Sequence, residues 1–379
     1  MTNAPVQSIP PDAEDRSPLE PTPALCLSGG GYRAMVFHIG AIWRLYETGL
    51  LKDIKRISSV SGGSITAGQL AIVWNSLSFK PDTTHSDLIP KFVDPLRNFA
   101  SVTIDAESVI LGALLPGSIG DRISAAYDEH LFKGKTLQDM PDEPRFVINA
   151  TNVQSAALWR FMKPYMRDYR VGKVAKPKIP LAQAVAASSA FPPVLSPFEL
   201  RLEDHQYEPN TGMDLQRPPF TTRVVLSDGG VYDNLGLETA WKRHQTVLVS
   251  DAGGKIQPEE EPETDWPRHS YRVLNLIDNQ VRSLRQRQVI DSFTSGAREG
   301  AYWGIRTDVA DYQLLDALDC PVARTKQLAE LPTRLKRLDD LTQERLINWG
   351  YAVCDAALRK HLDPALQPKP AFPYPKSGI

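Results

Sequence analysis

Short apolar runs and helix-period segments take turns along the chain. Residues 24–28 (Ala-Leu-Cys-Leu-Ser) are an apolar run that stops at three glycines, which predicts a buried strand. Over 32–51, Met35, Ile39, Ile42, Leu45 and Tyr46 recur at helical spacing. A second strand is predicted over 55–60, cut off by Ser61-Gly62-Gly63, and a mostly apolar helix over 65–77. Further strands are expected over 146–150, 224–227 and 246–250. Strands alternating with helices predict an α/β fold whose largely parallel sheet is covered on both faces. Ligands of such sheets bind outside the carboxyl ends of the strands.

Two later helices follow the same reading. In 275–293, Ile277, Val281, Leu284 and Ile290 share a face, with Arg282, Arg285 and Arg287 on or beside it as a solvated face. Ile347, Tyr351, Cys354 and Leu358 form a core-facing stripe, with Cys354 a packed thiol.

Composition narrows the function classes. With 43 Lys+Arg against 45 Asp+Glu in 379 residues, the formal charge is −2, which gives no electrostatic footprint for nucleic acid. Apolar residues at 42% suffice for a sizeable core. Cys26, Cys320 and Cys354 are too few and too scattered for a disulfide framework or a zinc site. No metal or other cofactor is expected. The first 23 residues read as a proline-rich extended leader without the basic start and apolar stretch of a signal peptide. The last residues, 366–379, read as a proline-rich tail with little structure of its own. No window approaches about 18 apolar residues, so no membrane span is expected. Cytoplasmic residence is the default.

Three constellations carry candidate chemistry. Ser28-Gly29-Gly30-Gly31-Tyr32-Arg33 joins a strand to a helix, where free N–H groups favour negative charge. A ligand-free turn, a dinucleotide site (Gly29-x-Gly31-x-x-Ala34) and an oxyanion hole all fit this loop. The dinucleotide site needs an acidic residue at the end of the second strand, and that strand ends in serines and glycines instead. Ser59-Val60-Ser61-Gly62-Gly63 resembles the G-x-S-x-G nucleophile elbow, with Ser61 as nucleophile and Ser59 and Gly63 as the small flanking residues. The alternative is a turn that caps the next helix. Ser227-Asp228-Gly229-Gly230 leaves a carboxylate at a strand end, as an Asx turn or as a catalytic acid. Asp251, before Ala252-Gly253-Gly254, has similar grammar and is the rival.

Taken in order, these pieces resemble the patatin-like phospholipase family. Gly29 to Arg33 resembles its oxyanion motif, Ser59 to Gly63 its nucleophile elbow, and Asp228-Gly229-Gly230 its catalytic aspartate motif. Ala187-Ser188-Ser189-Ala190-Phe191-Pro192-Pro193 resembles the segment between elbow and aspartate. Two positions depart: Ser28 stands where many members have Asp, and Ser59 where the elbow usually has Gly. The first bears on how the glycine loop is anchored, the second on the elbow's geometry.

The resemblance implies a three-layer α/β/α fold in one acyl hydrolase domain over 24–365, with a motif core over 24–255 and a helical extension over 270–365. It implies a Ser61–Asp228 dyad, an oxyanion hole from Gly29, Gly30 and Gly31, and Arg33 as a loop-orienting or phosphate-meeting residue. It implies a lipid or phospholipid ester as substrate, with transient contact to a membrane surface; protein partners are unknown. Two alternatives stand beside it: a non-catalytic lipid-binding homologue, motivated by Ser28 and Ser59, and an esterase with a Ser-Asp-His triad. After Asp228 the chain offers His244, His269 and His361 for such a triad, while His38 is expected to pack. The apolar segment 109–117 could lie at the pocket mouth, and Glu259-Glu260-Glu261-Pro262-Glu263 reads as a solvated loop.

Overall fold

In the computed structural model, residues 18–79, 87–104 and 118–379 are described; segment 109–117 lies outside them. The apolar run before the first glycine loop forms β1 (Glu20–Leu27), which begins earlier than the expected residue 24. It lies between β2 (Arg56–Ser59) and β9 (His244–Asp251), parallel to both. Outside them, β3 (Arg145–Asn152) pairs parallel with β2, and β10 (Glu299–Gly304) parallel with β9. This parallel group ends in an antiparallel meander from β3 through β4 (Ala157–Phe161), β5 (Tyr165–Asp168) and β6 (Gly172–Ala175). Strands β7 (Phe198–Arg201) and β8 (Arg223–Asp228) form a further antiparallel pair.

The register on β3 builds the site. Its first half, Arg145 to Ile148, pairs parallel with β2. Its second half, Ala150 to Asn152, pairs antiparallel with Asp228, Ser227 and Leu226 of β8. Strand β4 occupies the other edge of β3, so β2 and β8 share one edge and run toward each other. Their carboxyl ends meet beside Asn149. Strand β8 therefore delivers Asp228 antiparallel to its neighbour, whereas sequence reading placed it among strands of a parallel sheet.

Helices cover the sheet. Helix α1 (Gly31–Glu47) follows β1 and α2 (Gly62–Val73) follows β2, with α3 (Asp94–Ala100), α4 (Ile119–Tyr127) and α5 (Leu181–Ser188) on the same side. Two single-turn helices, α6 (Gly230–Asp233) and α7 (Glu238–Trp241), follow β8. Late in the chain come α8 (Trp266–Thr294), α9 (Val322–Ala329) and α10 (Asp340–His361). The expected stripe of Ile347, Tyr351, Cys354 and Leu358 on α10 is buried. This helix packs on α1 with backbones in contact: a Cβ on Gly40 would stand 1.9 Å from Ile347 O, and one on Gly350 1.9 Å from Phe37 O. Glycine inside a helix costs up to about 1 kcal/mol, and here it permits the close crossing. A continuous core runs from Leu25 through α1 and α10 to Ile379.

The tail has neither helix nor strand over 366–379, yet it is strapped to α10: Asn348 Nδ2 donates to Tyr374 O and to Gly378 O, each at 2.8 Å. An apolar stripe of α8 points outward. Trp266, Val273, Ile277 and Leu284 fall on one stripe; Trp266 is 80% exposed, Ile277 56% and Leu284 57%. Only Val289 of this 29-residue helix is buried. Its opposite side, with Tyr271, Asn275, Asp278 and Arg282, lines a cleft. Periodicity identifies the stripe, but the direction it faces is set by the polar side's place over the cleft.

Candidate active site

After β2 the backbone turns sharply at Ser61, with φ 51° and ψ −121°, and α2 begins at the next residue. A positive φ at a residue with a Cβ is strained and persists only where its surroundings hold it. The Ser61 N–H donates to Ser188 Oγ at 3.0 Å, and Ser188 Oγ donates to Asn149 O at 2.6 Å. The turn also needs bare backbone: a Cβ on Gly62 would stand 2.1 Å from Gly31 O, and one on Gly63 2.5 Å from Leu27 O. The departure at Ser59 is absorbed, because its buried hydroxyl donates to Val147 O at 3.2 Å and receives from Ser64 Oγ at 3.0 Å.

Asp228 faces this turn from the end of β8. Its Oδ1 accepts the Gly230 N–H at 2.7 Å, while its buried Oδ2 has no hydrogen bond of good geometry among the described residues. Burial pushes its carboxyl up to about 7; the Gly230 amide and the Ser61 hydroxyl oppose the rise, and the charge of Asp278 adds to it. The 187–193 block grips both halves of the site. Gly229 N–H donates to Ser188 O at 3.1 Å and Asp228 N–H to Ala190 O at 2.9 Å. Asp251, the rival, has both oxygens engaged, Oδ1 by Gly253 N–H at 2.8 Å and Oδ2 by the Tyr302 hydroxyl at 2.7 Å.

The glycine loop presents fewer donors than the sequence suggested. Gly29 N–H is taken by Asn234 O at 3.1 Å, so the expectation that it forms part of an oxyanion hole is corrected. The N–H groups of Gly30, at φ 145°, and Gly31, at φ 61°, reach no acceptor among the described residues. Gly62 N–H, just after Ser61, has none either, and the residue after an elbow nucleophile is a usual oxyanion donor.

Arg33 holds this loop in place. It donates through Nε and Nη2 to Ala252 O, through Nη1 to Leu331 O, and through Nη2 to Thr333 Oγ1. Its donors are thus spent on oxygens of the 252 turn and the 331–333 loop. The departure at Ser28 is absorbed as well: its hydroxyl oxygen accepts the Ala252 N–H at 2.7 Å. His38 bridges Ser28 O and Ser250 Oγ at 3.0 and 2.8 Å, and burial lowers it to about 4, so it anchors as a neutral ring.

Ser61, Asp228, Gly30 and Arg33 line one cleft of about 690 Å³. No histidine lines it among the described residues. His244 lies at the far end of β9, donating to Thr22 O at 2.9 Å. His269 is exposed beside Glu263 O, and His361 packs on Tyr312. Among the described residues no group of three or more side chains could hold a metal ion.

Four residues near the reacting groups escaped sequence reasoning. Ser188 lies in a block noticed only for its pattern. Asn234, six residues after Asp228, sits between the two loops; its Oδ1 would be 2.4 Å from a Cβ on Gly29 and 2.7 Å from one on Gly230. Arg282 and Arg306 reach the cleft from α8 and from just after β10.

Residues 25–241 match the patatin-like phospholipase family. The chain belongs to that family. Ser61, Asp228 and the glycine loop all fall within the family segment. No curated protein matches the chain. Among solved structures it is similar to human GIVD cytosolic phospholipase A2, at 14% identity over 62% of this chain and 46% of that one, with a TM-score of 0.40. In its complex with methyl gamma-linolenyl fluorophosphonate, the human protein is similar at 13% identity over 89% and 57% of the two chains, with a TM-score of 0.48. VipD from Legionella pneumophila is similar at 14% identity over 91% and 68%, with a TM-score of 0.36. The match spans about half of the human chain. Within this patatin-like chain, Arg282, Arg306 and the 331–334 loop come from beyond the family segment.

Proposed function

We propose that this chain is a serine acyl hydrolase that cleaves lipid esters with a Ser61–Asp228 dyad. The observation that carries the reading is the end-to-end meeting of β2 and β8, which brings both side chains into one cleft with no histidine among its described lining residues. Asp228 as carboxylate takes the Ser61 hydroxyl proton while Oγ attacks the ester carbonyl. The Gly30 and Gly31 amides receive the developing oxyanion; one such donor is typically worth about 100–1,000-fold in rate. Collapse leaves an acyl group on Ser61, and the departing alcohol takes the proton from Asp228. Water then gives a proton to Asp228 and attacks the acyl ester. The acid product leaves, and the proton returns to Ser61 Oγ. A fluorophosphonate probe followed by peptide mass spectrometry tests this. Labelling is expected at Ser61 alone; an unlabelled Ser61 in folded, probe-treated protein sinks the proposal.

Substrate reaches the cleft from a lipid surface. The stripe of Trp266, Val273, Ile277 and Leu284 supports this, because it lies on the helix whose other side lines the cleft. An amphipathic helix with an outward apolar face and an interfacial Trp suits the plane of a bilayer. No described helix is long and apolar enough to cross a membrane. The double variant Ile277→Glu, Leu284→Glu is expected to lower turnover of vesicle-borne lipid by about 10- to 100-fold, from the lost burial of two side chains. Turnover of a short nitrophenyl ester in solution should stay the same. Equal turnover of vesicles by both proteins overturns the surface contact.

A further inference from the structure

The cleft holds more positive charge than the dyad requires. Arg282, on the cleft side of α8, makes no hydrogen bond or ion pair among the described residues. Its guanidinium lies against the turn after β9, 2.3 Å from where a Cβ on Gly253 would stand. Arg306 spends Nη2 on Ala329 O at 3.2 Å, while its Nε is buried without a partner. Arg33, the third guanidinium, donates only to neutral oxygens, so its charge is uncompensated by any direct partner.

The carboxylates nearby form no ion pair with these arginines among the described residues, though Asp251 acts electrostatically on Arg33 and Arg306. Both oxygens of Asp251 are held by Gly253 and Tyr302. Asp278 lines the cleft and interacts electrostatically with Arg282, but forms no ion pair with it among the described residues. Glu330 acts on Arg306 from the cleft rim, also without an ion pair. The cations feel one another: Arg282 and Arg306 both make Arg33 easier to deprotonate, and Arg282 does the same to Arg306. Burying cations together is costly unless an anion joins them.

We propose that Arg282 and Arg306 form a subsite for a phosphate group carried on the alcohol side of the scissile ester. The inference rests on the acyl hydrolase reading above and adds the feature that selects its substrate. Two planar guanidinium forks suit the oxygens of a phosphate, which each can bind through paired N–H donors. Both arginines lie outside the matched family segment, so this chain's own later elements read the head group.

The test compares wild type, Arg282→Gln and Arg306→Gln on two substrates in detergent micelles. One is a phosphate-bearing glycerolipid and the other a neutral diacylglycerol with the same acyl chains. For the phosphate-bearing ester, each variant should lower kcat/KM about 10-fold or more, mainly through KM. For the neutral ester, all three proteins should agree within about twofold. Equal losses on both substrates, or none on either, overturn the subsite. Wild-type hydrolysis of a neutral nitrophenyl ester should also be inhibited competitively by glycerol 3-phosphate and not by glycerol, with inhibition weakening as salt rises. Equal inhibition by the two compounds overturns the subsite even if an arginine variant fails to fold. If wild type hydrolyses no ester, the dyad reading fails instead. Binding to Ser61→Ala by calorimetry then still decides the subsite: glycerol 3-phosphate should bind and glycerol should not, and equal binding overturns it.

Discussion

Asp228→Asn is expected to lower ester turnover by about 100- to 10,000-fold, the usual worth of a positioned general base. The side chain is 2% exposed and its free oxygen has no competing donor of good geometry, so little water can replace it. Its protonation gives the variant a second signature. A carboxyl pushed up to about 7 by burial is only partly ionised at neutral pH. Since the base must be ionised, wild-type kcat/KM should rise with pH through about 7. Stability should move the other way. A folded-state value above the unfolded one makes a stability contribution that is full below the unfolded value, near pH 4, and is lost as pH rises through about 7. Asn carries no charge to bury, so Asp228→Asn should melt above wild type at pH 8 and with it near pH 4. Melting curves at the two pH values check this; a gain that is the same at both removes the burial argument.

Ser61→Ala is expected to lower turnover on the order of 10⁶-fold, the scale on which serine hydrolases depend on their nucleophile. Ser61→Gly should be equally inactive but more stable than Ser61→Ala, by about 1 kcal/mol. The φ of 51° strains any residue with a Cβ and suits glycine. The Ser61 N–H bond to Ser188 belongs to the backbone and survives in both variants. Denaturant unfolding of the pair measures the difference. Equal stabilities would mean that the elbow stores no strain.

The local turns that carry the candidate residues were legible in the sequence. Gly30 and Gly31 next to a strand, Ser61 before Gly62, and Asp228 before Gly229 announce themselves within a few residues, because a tight turn needs small neighbours. Relations between distant segments were not. No local pattern says that β8 runs antiparallel to β3, since strand direction is decided by pairing and connection. The loss of the Gly29 donor depends on a carbonyl 205 positions away in the chain. The stripe on α8 was visible as a stripe, yet its outward direction depends on Asn275, Asp278 and Arg282 facing a cleft formed by other elements. The structural roles of Ser28 and Ser59 came from Ala252, just after β9, and from Val147 on β3, which their own segments do not reveal.

The crossing of Gly40 on Gly350 also sets a timetable. Synthesis reaches α10 about 300 residues after α1, which at ~5–20 residues/s is roughly 15–60 s. Throughout that interval the helix that begins at the glycine loop lacks the partner against which its backbone is seated. The serine and aspartate are already present in the nascent chain, but the frame that orients the loop is incomplete. The packing that seats α1 is therefore completed only once α10 has been made.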